Sequence, residues 1–431
     1  RQVGKSTLVR LFAEQQQLSL TEVNLERHPG LDVSFKRRDP RQIVNEIEAL
    51  PGMQAVAANS ILFLDEIQAA PDAIPALRYL HEEMNELPVI AAGSLLEFIL
   101  SDHRFSMPVG RIQYLHMGPM TFTEFLEALG EDKLKSEIAA YAPGKDIGAV
   151  AHRRLLELLR SYYFVGGMPE AVAAFARDRK FSVVSPVHAS IIETYRDDFQ
   201  KYGAARNLTR MLNVLNFTAR NVGTKIKYST VSKDDQSVTI RKDIELLSMA
   251  RIISKVIHTH ASGLPLQAEL DEKVYKLLFL DVGLMNAVCG LSWNTLANMD
   301  DTRLINEGTI AEQFIGQHLQ DLLAESPNRE LTYWLREGRS ANAEIDYVAA
   351  FDGRIVPMEV KAGNRGSLKS LHQFVGEKSV PLAVRFDANP PSIQTVDTVI
   401  RKSGVATPVR YSLMSLPLYL VERLPDLVRQ S

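Results

Sequence analysis

The stretch RQVGKST at residues 1–7 matches the second half of the phosphate-binding loop pattern G-x-x-x-x-G-K-[ST]. In a complete loop, backbone N–H groups surround the phosphates, Gly4 lets the main chain approach closely, and Lys5 reaches the β and γ oxygens. Ser6 would bind Mg²⁺, and Thr7 would lie in the first turn of a helix whose N-terminus faces the phosphates. The pattern's first glycine would precede residue 1, so we expect an N-terminally truncated ATP site.

A short apolar run at residues 60–66, SILFLDE, predicts a second element of the same site. Such a run is typical of a strand buried on both faces of a parallel sheet. Asp65 at its end would hold Mg²⁺ through water, and Glu66 would take a proton from the attacking water. The alternative is an ordinary core strand followed by solvated acids; the loop upstream favours the nucleotide site.

Two further residues are candidates for contacts with the γ-phosphate. Ser94 ends the apolar run at residues 88–94 and could contact it, or could equally cap the next helix. Arg111 follows Gly110 and could stabilise charge on the transferred phosphoryl group in cis or in trans, or could be an ordinary solvated arginine. Action in trans would require an oligomer.

Length and composition limit the possible classes of protein. A chain of 431 residues should form about three domains, and 45% hydrophobic residues is enough to build their cores. No apolar run reaches the ~18 residues that a membrane helix needs, so we predict no membrane contact. The single cysteine, Cys289, excludes an internal disulfide and favours a cytoplasmic location.

The order of the sequence patterns predicts four regions. Residues 1–127 alternate helix and strand patterns, including a helix capped by Asp39 with Pro40 in its first turn, which indicates a parallel α/β domain. Residues 128–200 read as a helical lid or linker, interrupted at residues 166–169. Residues 201–270 form a basic region, and residues 271–431 form a C-terminal α/β domain.

The basic region concentrates positive charge in a chain whose net charge is −3. Residues 201–260 contain eleven Lys and Arg against four acids, so this window is +7 and the remainder −10. Three helical segments followed by a β-branched run at residues 251–260 predict a winged-helix-like module that binds DNA phosphates. The alternative is a helical subdomain with a solvated basic face.

A second set of acids lies at residues 343–361, where Asp352 and Gly353 separate two β-prone runs. Asp-Gly at this place predicts a two-residue hairpin turn, with Phe351 opposite Arg354. The same register puts Asp346 opposite Glu359. Carboxylates ~5 Å apart repel unless a cation lies between them, and a divalent metal ion prefers such oxygen ligands.

Other residues would complete or disturb this metal site. Lys361 lies on the face of Glu359 and could orient or activate a water, and Glu312 could deliver a third acid from an upstream helix. Pro357 would need an edge or bulge position, which could shift the register. The alternative is a surface hairpin in which Lys361 neutralises Glu344, Asp346 and Glu359.

Several motifs together resemble prokaryotic AAA-type P-loop ATPases fused to a C-terminal domain of unknown function, which itself is similar to PD-(D/E)xK restriction endonucleases. They are RQVGKST at 1–7, LDEIQ at 64–68, GS at 93–94, GGMPE at 166–170 and DVGL at 281–284. The resemblance covers nearly the whole chain. It implies ATP and Mg²⁺ as cofactors, bound through Lys5, Ser6 and Asp65, with Glu66 as the hydrolytic base and Ser94 as a polar sensor.

The nuclease part of the resemblance implies roles for the second acid set. Asp346, Glu359 and Lys361 match its D…E-x-K motif, and Glu312 matches its helix acid, although no proline precedes Asp346. The expected function is an ATPase that controls a C-terminal half able to bind DNA, with DNA cleavage as a candidate activity of that half. The alternative is an ATP-controlled switch that binds DNA or a protein partner through an inert nuclease-like fold.

Overall fold

A computed structural model describes most of the chain, in two compact units. The first comprises residues 1–117 with 249–251, and the second comprises residues 118–248 with 252–431. The described residues are 2–53, 55–57, 59–93, 110–201, 205–291, 293, 308–324, 330–336, 343–361, 368–402 and 405–431.

The first unit contains a parallel sheet of three described strands in the order β1-β2-β3. The strands are β1 (Ser19–Asn24), β2 (Ser60–Asp65) and β3 (Val89–Ala91). Its described helices are Lys5–Gln15, Leu31–Arg37, Pro40–Glu48 and Ala73–Glu83. The alternation of helix and strand predicted for this region is confirmed.

Strand β2 is buried along its whole length because helices cover both faces of the sheet. Phe63 packs with Val9 and Ala92 on one face. Leu62 and Leu64 belong to the core on the other face. The continuous apolar run before Asp65 is the consequence of this double burial.

The helix Pro40–Glu48 begins as its sequence predicts. The Asp39 side chain accepts a hydrogen bond from the backbone N–H of Gln42 at 3.1 Å, and Pro40 occupies the first turn. Pro40 has no N–H to leave unpaired there.

The second unit combines helices with a large mixed sheet. From residue 118 onward the described helices are Phe122–Ala128, Asp132–Ala140, Ala149–Val165, Pro169–Asp178, Val184–Lys201, Ala205–Arg220, Tyr228–Val231, Ser237–Met249, Val282–Val288, Gly308–Leu322, Lys369–Lys378 and Leu424–Arg429. The predicted interruption at residues 166–169 is confirmed, because one helix ends at Val165 and the next begins at Pro169.

The sheet of the second unit contains eight described strands in the order β10-β11-β9-β8-β7-β6-β4-β5. They are β4 (Ile253–Thr259), β5 (Leu270–Phe279), β6 (Leu331–Arg336), β7 (Ala343–Phe351), β8 (Arg354–Val360), β9 (Leu382–Asp387), β10 (Ser392–Lys402) and β11 (Val405–Pro417). The strand expected as a wing, β4, lies inside this sheet, antiparallel to β5 and parallel to β6. The winged-helix arrangement is therefore not confirmed, and the four-region division stays a prediction.

Two glycine-containing motifs meet in the core of the second unit. The Asp281 carboxylate accepts hydrogen bonds from the N–H groups of Gly167 at 2.6 Å and Leu284 at 2.9 Å. A Cβ atom on Gly283 would lie 2.6 Å from the Gly166 nitrogen, so only glycine allows this approach. The GGMPE and DVGL motifs therefore pack directly against each other in the core.

Candidate functional site

The predicted Mg²⁺ ligands of the first unit are in direct contact. Gly4 has φ +86° and precedes the helix Lys5–Gln15, whose first turn contains Ser6 and Thr7. The Ser6 hydroxyl donates a hydrogen bond of 2.9 Å to Asp65 Oδ2. Hydroxyl and carboxylate oxygens are the ligands that Mg²⁺ prefers, so this pair fits the ion.

The Asp65 carboxylate accepts two hydrogen bonds from neutral donors. Its other oxygen, Oδ1, accepts the backbone N–H of Glu66 at 3.1 Å, and the residue is only 8% exposed. Leu25 N–H donates to the Asp65 carbonyl at 3.0 Å and joins the ends of β1 and β2. The carboxylate is therefore fixed at the carboxyl edge of the sheet.

Glu66 adopts an uncommon backbone conformation directly after β2. Its φ of +52° is in the left-handed region, which non-glycine residues seldom occupy outside turns and functional sites. The Gln68 side chain donates a hydrogen bond to the Glu66 carboxylate. Gln68 also lies against Gly93, where a Cβ would be 2.6 Å from Gln68 Oε1.

Gln68 is a site residue that sequence reasoning missed, because only its contact with Glu66 reveals it. Ile67 N–H donates to the Ala92 carbonyl at 3.0 Å and ties this turn to the end of β3. The Glu66 carboxylate, the Gln68 side-chain amide and the end of β3 thus lie close together. Ser94, the predicted sensor, lies outside the described residues.

Arg111 lies in an ion pair with Glu82, at 3.2 Å between Nε and Oε1. Glu82 is near the end of the helix Ala73–Glu83, which runs back from the carboxyl edge of β2 towards the start of β3. The ion pair therefore lies towards the amino edge of the sheet, whereas Asp65 is at the carboxyl edge. The structure does not bring Arg111 to Ser6 and Asp65 within one chain, and its catalytic role stays a prediction.

The predicted hairpin register of β7 and β8 is confirmed for five pairs, from Phe351 opposite Arg354 to Tyr347 opposite Met358. Pro357 lies opposite Val348 within this ladder and does not shift it. The ladder ends one pair before Asp346 and Glu359.

A bulge in β7 explains the end of the ladder. Between the pairs Thr332–Val348 and Trp334–Ile345, β7 contains one residue more than β6. An extra residue of this kind turns side chains away from the regular alternation. The Asp346 carboxylate instead accepts the backbone N–H of Val360 at 2.7 Å.

Lys276 of β5 lies among the acids and was missed by sequence reasoning. Its Nζ donates to Glu312 Oε1 at 3.1 Å and forms an ion pair with Glu344. The side chain is 1% exposed, and Nζ lies 4.9 Å from the centre of the Tyr333 ring. We call Lys276, Glu312, Glu344, Asp346, Glu359 and Lys361 the acid cluster.

Burial raises the pKa of three carboxyl groups in the acid cluster, those of Glu312, Asp346 and Glu359. It raises the pKa of Glu359 to about 7, helped by the charge of Asp346 and opposed by the ion pair with Lys361. Burial also raises the pKa of Glu312 to about 7 and the pKa of Asp346, in both cases against the attraction of Lys276. For Lys276, burial lowers the pKa, but the charges of Glu312, Asp346 and Glu344 outweigh it and raise the pKa above its usual value.

The acid cluster does not fit a divalent metal ion as it is arranged. Among the described residues, no three His, Cys, Asp or Glu side chains are placed to hold one. The Lys276 ammonium group contacts both Glu312 and Glu344, where a bridging ion would have to sit. The roles predicted for Glu312, Asp346, Glu359 and Lys361 in metal binding and cleavage stay predictions.

Part of the basic charge at residues 201–260 forms ion pairs with carboxylates of the second unit. Arg210 pairs with the buried Asp243, and Lys255 Nζ lies 2.8 Å from Glu245. Other members of this window, including Lys227, Lys233, Arg241 and Lys242, are exposed. DNA binding by this surface stays a prediction.

Within the described residues, the helices are all too short or too polar to cross a membrane.

Comparisons with protein families match three parts of the chain. Residues 1–126 match the AAA domain family. Residues 156–295 match a domain of unknown function, DUF8612, and residues 307–408 match another, DUF4143. A search of curated proteins gave no match.

A crystal structure of protein VC1899 from Vibrio cholerae aligns with 93% of this chain and 80% of its own, at 11% identity and a TM-score of 0.21. A TM-score this low does not indicate a shared fold or function. The family match, the parallel sheet and the contact between Ser6 and Asp65 agree with one another. Residues 1–126 thus match the AAA domain family and contain the features expected of a P-loop site, and this family suggests ATP binding.

Proposed function

We propose that the chain is a Mg²⁺-dependent ATPase whose nucleotide site is built from Lys5, Ser6, Asp65 and Glu66. The observation that carries the proposal is the 2.9 Å hydrogen bond between Ser6 and Asp65, which pairs the loop hydroxyl with the strand carboxylate. Bound Mg²⁺ would supply charge neutralisation at the β and γ oxygens.

Each residue of the nucleotide site has a distinct role in this proposal. Ser6 and Asp65 hold the metal, and Lys5 binds the phosphate oxygens. Glu66 accepts the proton of the attacking water, and the amide of Gln68 orients its carboxylate. The left-handed backbone at Glu66 directs this side chain away from the line of β2.

ATP hydrolysis by the full-length protein tests the proposal most directly. Lys5→Ala should abolish Mg²⁺-dependent turnover, because it removes the cation that contacts the β and γ oxygens. The matched control is Lys36→Ala, which removes an exposed lysine of the same unit. Equal turnover in wild type, Lys5→Ala and Lys36→Ala would show that this loop does not hydrolyse ATP.

For the second unit, we propose a binding role under the control of the ATPase, rather than cleavage. Lys276 pairs with two carboxylates of the acid cluster, Glu312 and Glu344, that a nuclease could use for metal ions, and this favours an inert nuclease-like fold. The candidate ligand is DNA, bound through the exposed basic residues at 201–260, or a protein partner. Assembly into an oligomer is a further prediction.

A salt series distinguishes the two kinds of partner. DNA affinity should fall steeply as salt rises, and Lys233→Ala with Lys242→Ala should reduce both the affinity and the salt slope. Lys133→Ala with Lys145→Ala, which removes two exposed lysines outside the basic window, is the control. Affinity that does not change with salt would exclude a phosphate-driven role for this surface.

The nuclease candidate has its own test. DNA is incubated with Mg²⁺ or Mn²⁺ and wild type, Asp346→Ala or Lys361→Ala. Equal nicking by all three would indicate a contaminant and support the binding role. Nicking by wild type that both variants lose would establish cleavage.

A further inference from the structure

We propose that Lys276 is the built-in cation of the acid cluster: its ammonium group takes the place of a divalent ion between Glu312 and Glu344 and keeps such ions out. The lysine thereby masks a latent divalent-cation site. This inference rests on the geometry of the second unit and is independent of the proposed ATPase.

The position of Lys276 is fixed by its surroundings. The residue lies in the buried half of β5, next to Leu277 and Leu278, and is 1% exposed. A buried ammonium group is tolerated only when it is paired, and this one contacts two carboxylates and the face of the Tyr333 ring. The charge therefore remains inside the cluster.

The carboxylates that Lys276 contacts have oxygen atoms of the type that Mg²⁺ and Mn²⁺ bind. Glu312 comes from the helix Gly308–Leu322, while Glu344 and Asp346 come from β7. Without the lysine, Glu312 and Glu344 would lose their ammonium partner, whereas Lys361 pairs with Glu359 and also attracts Asp346 through its charge. The mutual repulsion of the acids would then favour capture of an external cation.

The loop after the helix Ala205–Arg220 closes the cluster on one side. Gly223, with φ +76°, lies so close to Glu312 that an added Cβ would collide with its carboxylate. The backbone of Lys225 pairs with that of Lys276, and Ile226 N–H donates to the Tyr275 carbonyl at 3.0 Å. This loop holds the carboxylate of Glu312 towards the lysine.

A second observation shows that the two lysines do not satisfy all the acids. Glu359 is 5% exposed, and its Oε2 atom is buried without a hydrogen-bond partner among the described residues. A buried carboxylate oxygen without a partner is unfavourable unless a ligand reaches it. The cluster thus contains a carboxylate oxygen that could bind an ion once the lysine is removed.

The test measures binding of Mn²⁺ by electron paramagnetic resonance of the free ion, with nucleotide-free protein at constant pH. Lys276→Met should gain one Mn²⁺ site that is about tenfold or more tighter than any site of the second unit in wild type, because ligand charge sets the affinity. Lys273→Met, which changes an exposed lysine of the same strand, should gain none. Adding Asp346→Asn to Lys276→Met should abolish the gain.

The proposal is overturned if folded Lys276→Met gains no Mn²⁺ site, with folding checked by circular dichroism. A second comparison avoids any folding defect of that variant. With Lys276 present, Asp346→Asn should leave Mn²⁺ binding unchanged, because the lysine already excludes the ion. Loss of a Mn²⁺ site in Asp346→Asn would show that the cluster binds the ion despite Lys276 and would also overturn the proposal.

Discussion

The nucleotide site and the acid cluster both contain carboxylates, but the groups that bind these carboxylates differ. Asp65 accepts hydrogen bonds from the Ser6 hydroxyl and the Glu66 N–H, which are neutral donors. Glu312 and Glu359 are instead bound by the ammonium groups of Lys276 and Lys361. Neutral donors fix a carboxylate and leave its charge available to a ligand, whereas a buried lysine cancels that charge within the protein.

The largest expected effect is on catalysis at the first site. Glu66→Gln should lower the rate of ATP hydrolysis by about 10²–10⁴-fold, because the amide cannot accept the proton of the attacking water. ATP affinity, measured with a fluorescent analogue, should stay close to that of wild type. Glu26→Gln changes an exposed glutamate of the same unit and is the control. Equal rates in wild type and both variants would remove Glu66 from the mechanism.

The second prediction concerns the packing of Gly223 against Glu312. Gly223→Ala should lower the free energy of unfolding by about 3 kcal/mol, since it adds a collision with the carboxylate to the strain of a left-handed backbone. Gly130→Ala has a similar φ of +69° but open space around it, so it should cost only about 1 kcal/mol.

Denaturant unfolding followed at Trp334 measures both glycine variants. This residue is buried in the second unit, and Trp293→Phe makes it the only tryptophan of the chain. Equal losses in the two variants would show that Glu312 is not held against the loop.

The third prediction uses the pKa of Glu359, which burial raises from 4.5 to about 7. Because the folded pKa is the higher one, this group's contribution to stability is fully present below pH 4.5 and is lost as pH rises through 7. Glu359→Gln does not titrate, so its stability relative to wild type should improve by on the order of 2 kcal/mol between pH 4.5 and pH 8.

The same tryptophan fluorescence at a series of pH values tests this trend. Glu272→Gln, which changes an exposed residue of β5, is the control. A trend of opposite sign, with the variant losing stability as pH rises, would mean that the folded pKa of Glu359 lies below 4.5 because Lys361 more than offsets the effect of burial.

The smallest effect is expected at Arg111. Its ion pair with Glu82 is exposed, and such pairs contribute little to stability, so Arg111→Ala and Glu82→Gln should both leave the Tm unchanged. The rate of ATP hydrolysis distinguishes the two possible roles of the arginine. A rate loss only in Arg111→Ala, growing with protein concentration, would support action in trans, and equal rates would leave the arginine a surface residue.

Local patterns predicted those parts of the fold that depend on neighbouring residues. The apolar run before Asp65, the Asp39 cap and the turn at Asp352 each contain their own physical cause, and the structure agrees with them. The bulge at Asp346 could not be predicted, because it depends on how β7 pairs with a strand elsewhere in the chain.

Long-range contacts account for most of the other omissions. Nothing in residues 343–361 indicates Lys276, which belongs to a strand far upstream. Gln68 is a local exception: it lies two residues after Glu66, but its side-chain contact with Glu66 appears only in the structure. The β-branched run at residues 251–260 predicted a strand correctly but not its place in the C-terminal sheet. The meeting of the GGMPE and DVGL motifs likewise appears only in three dimensions.

Lys276 and the carboxylates that it contacts come from parts of the chain that match two different families. The lysine belongs to the part that matches DUF8612, whereas Glu312, Glu344, Asp346, Glu359 and Lys361 belong to the part that matches DUF4143. Expression of the later part alone would remove β4 from the side of β6 and take the lysine away from the carboxylates. A gene fusion or truncation at this border would therefore change the charge of a cluster without altering any of its acids.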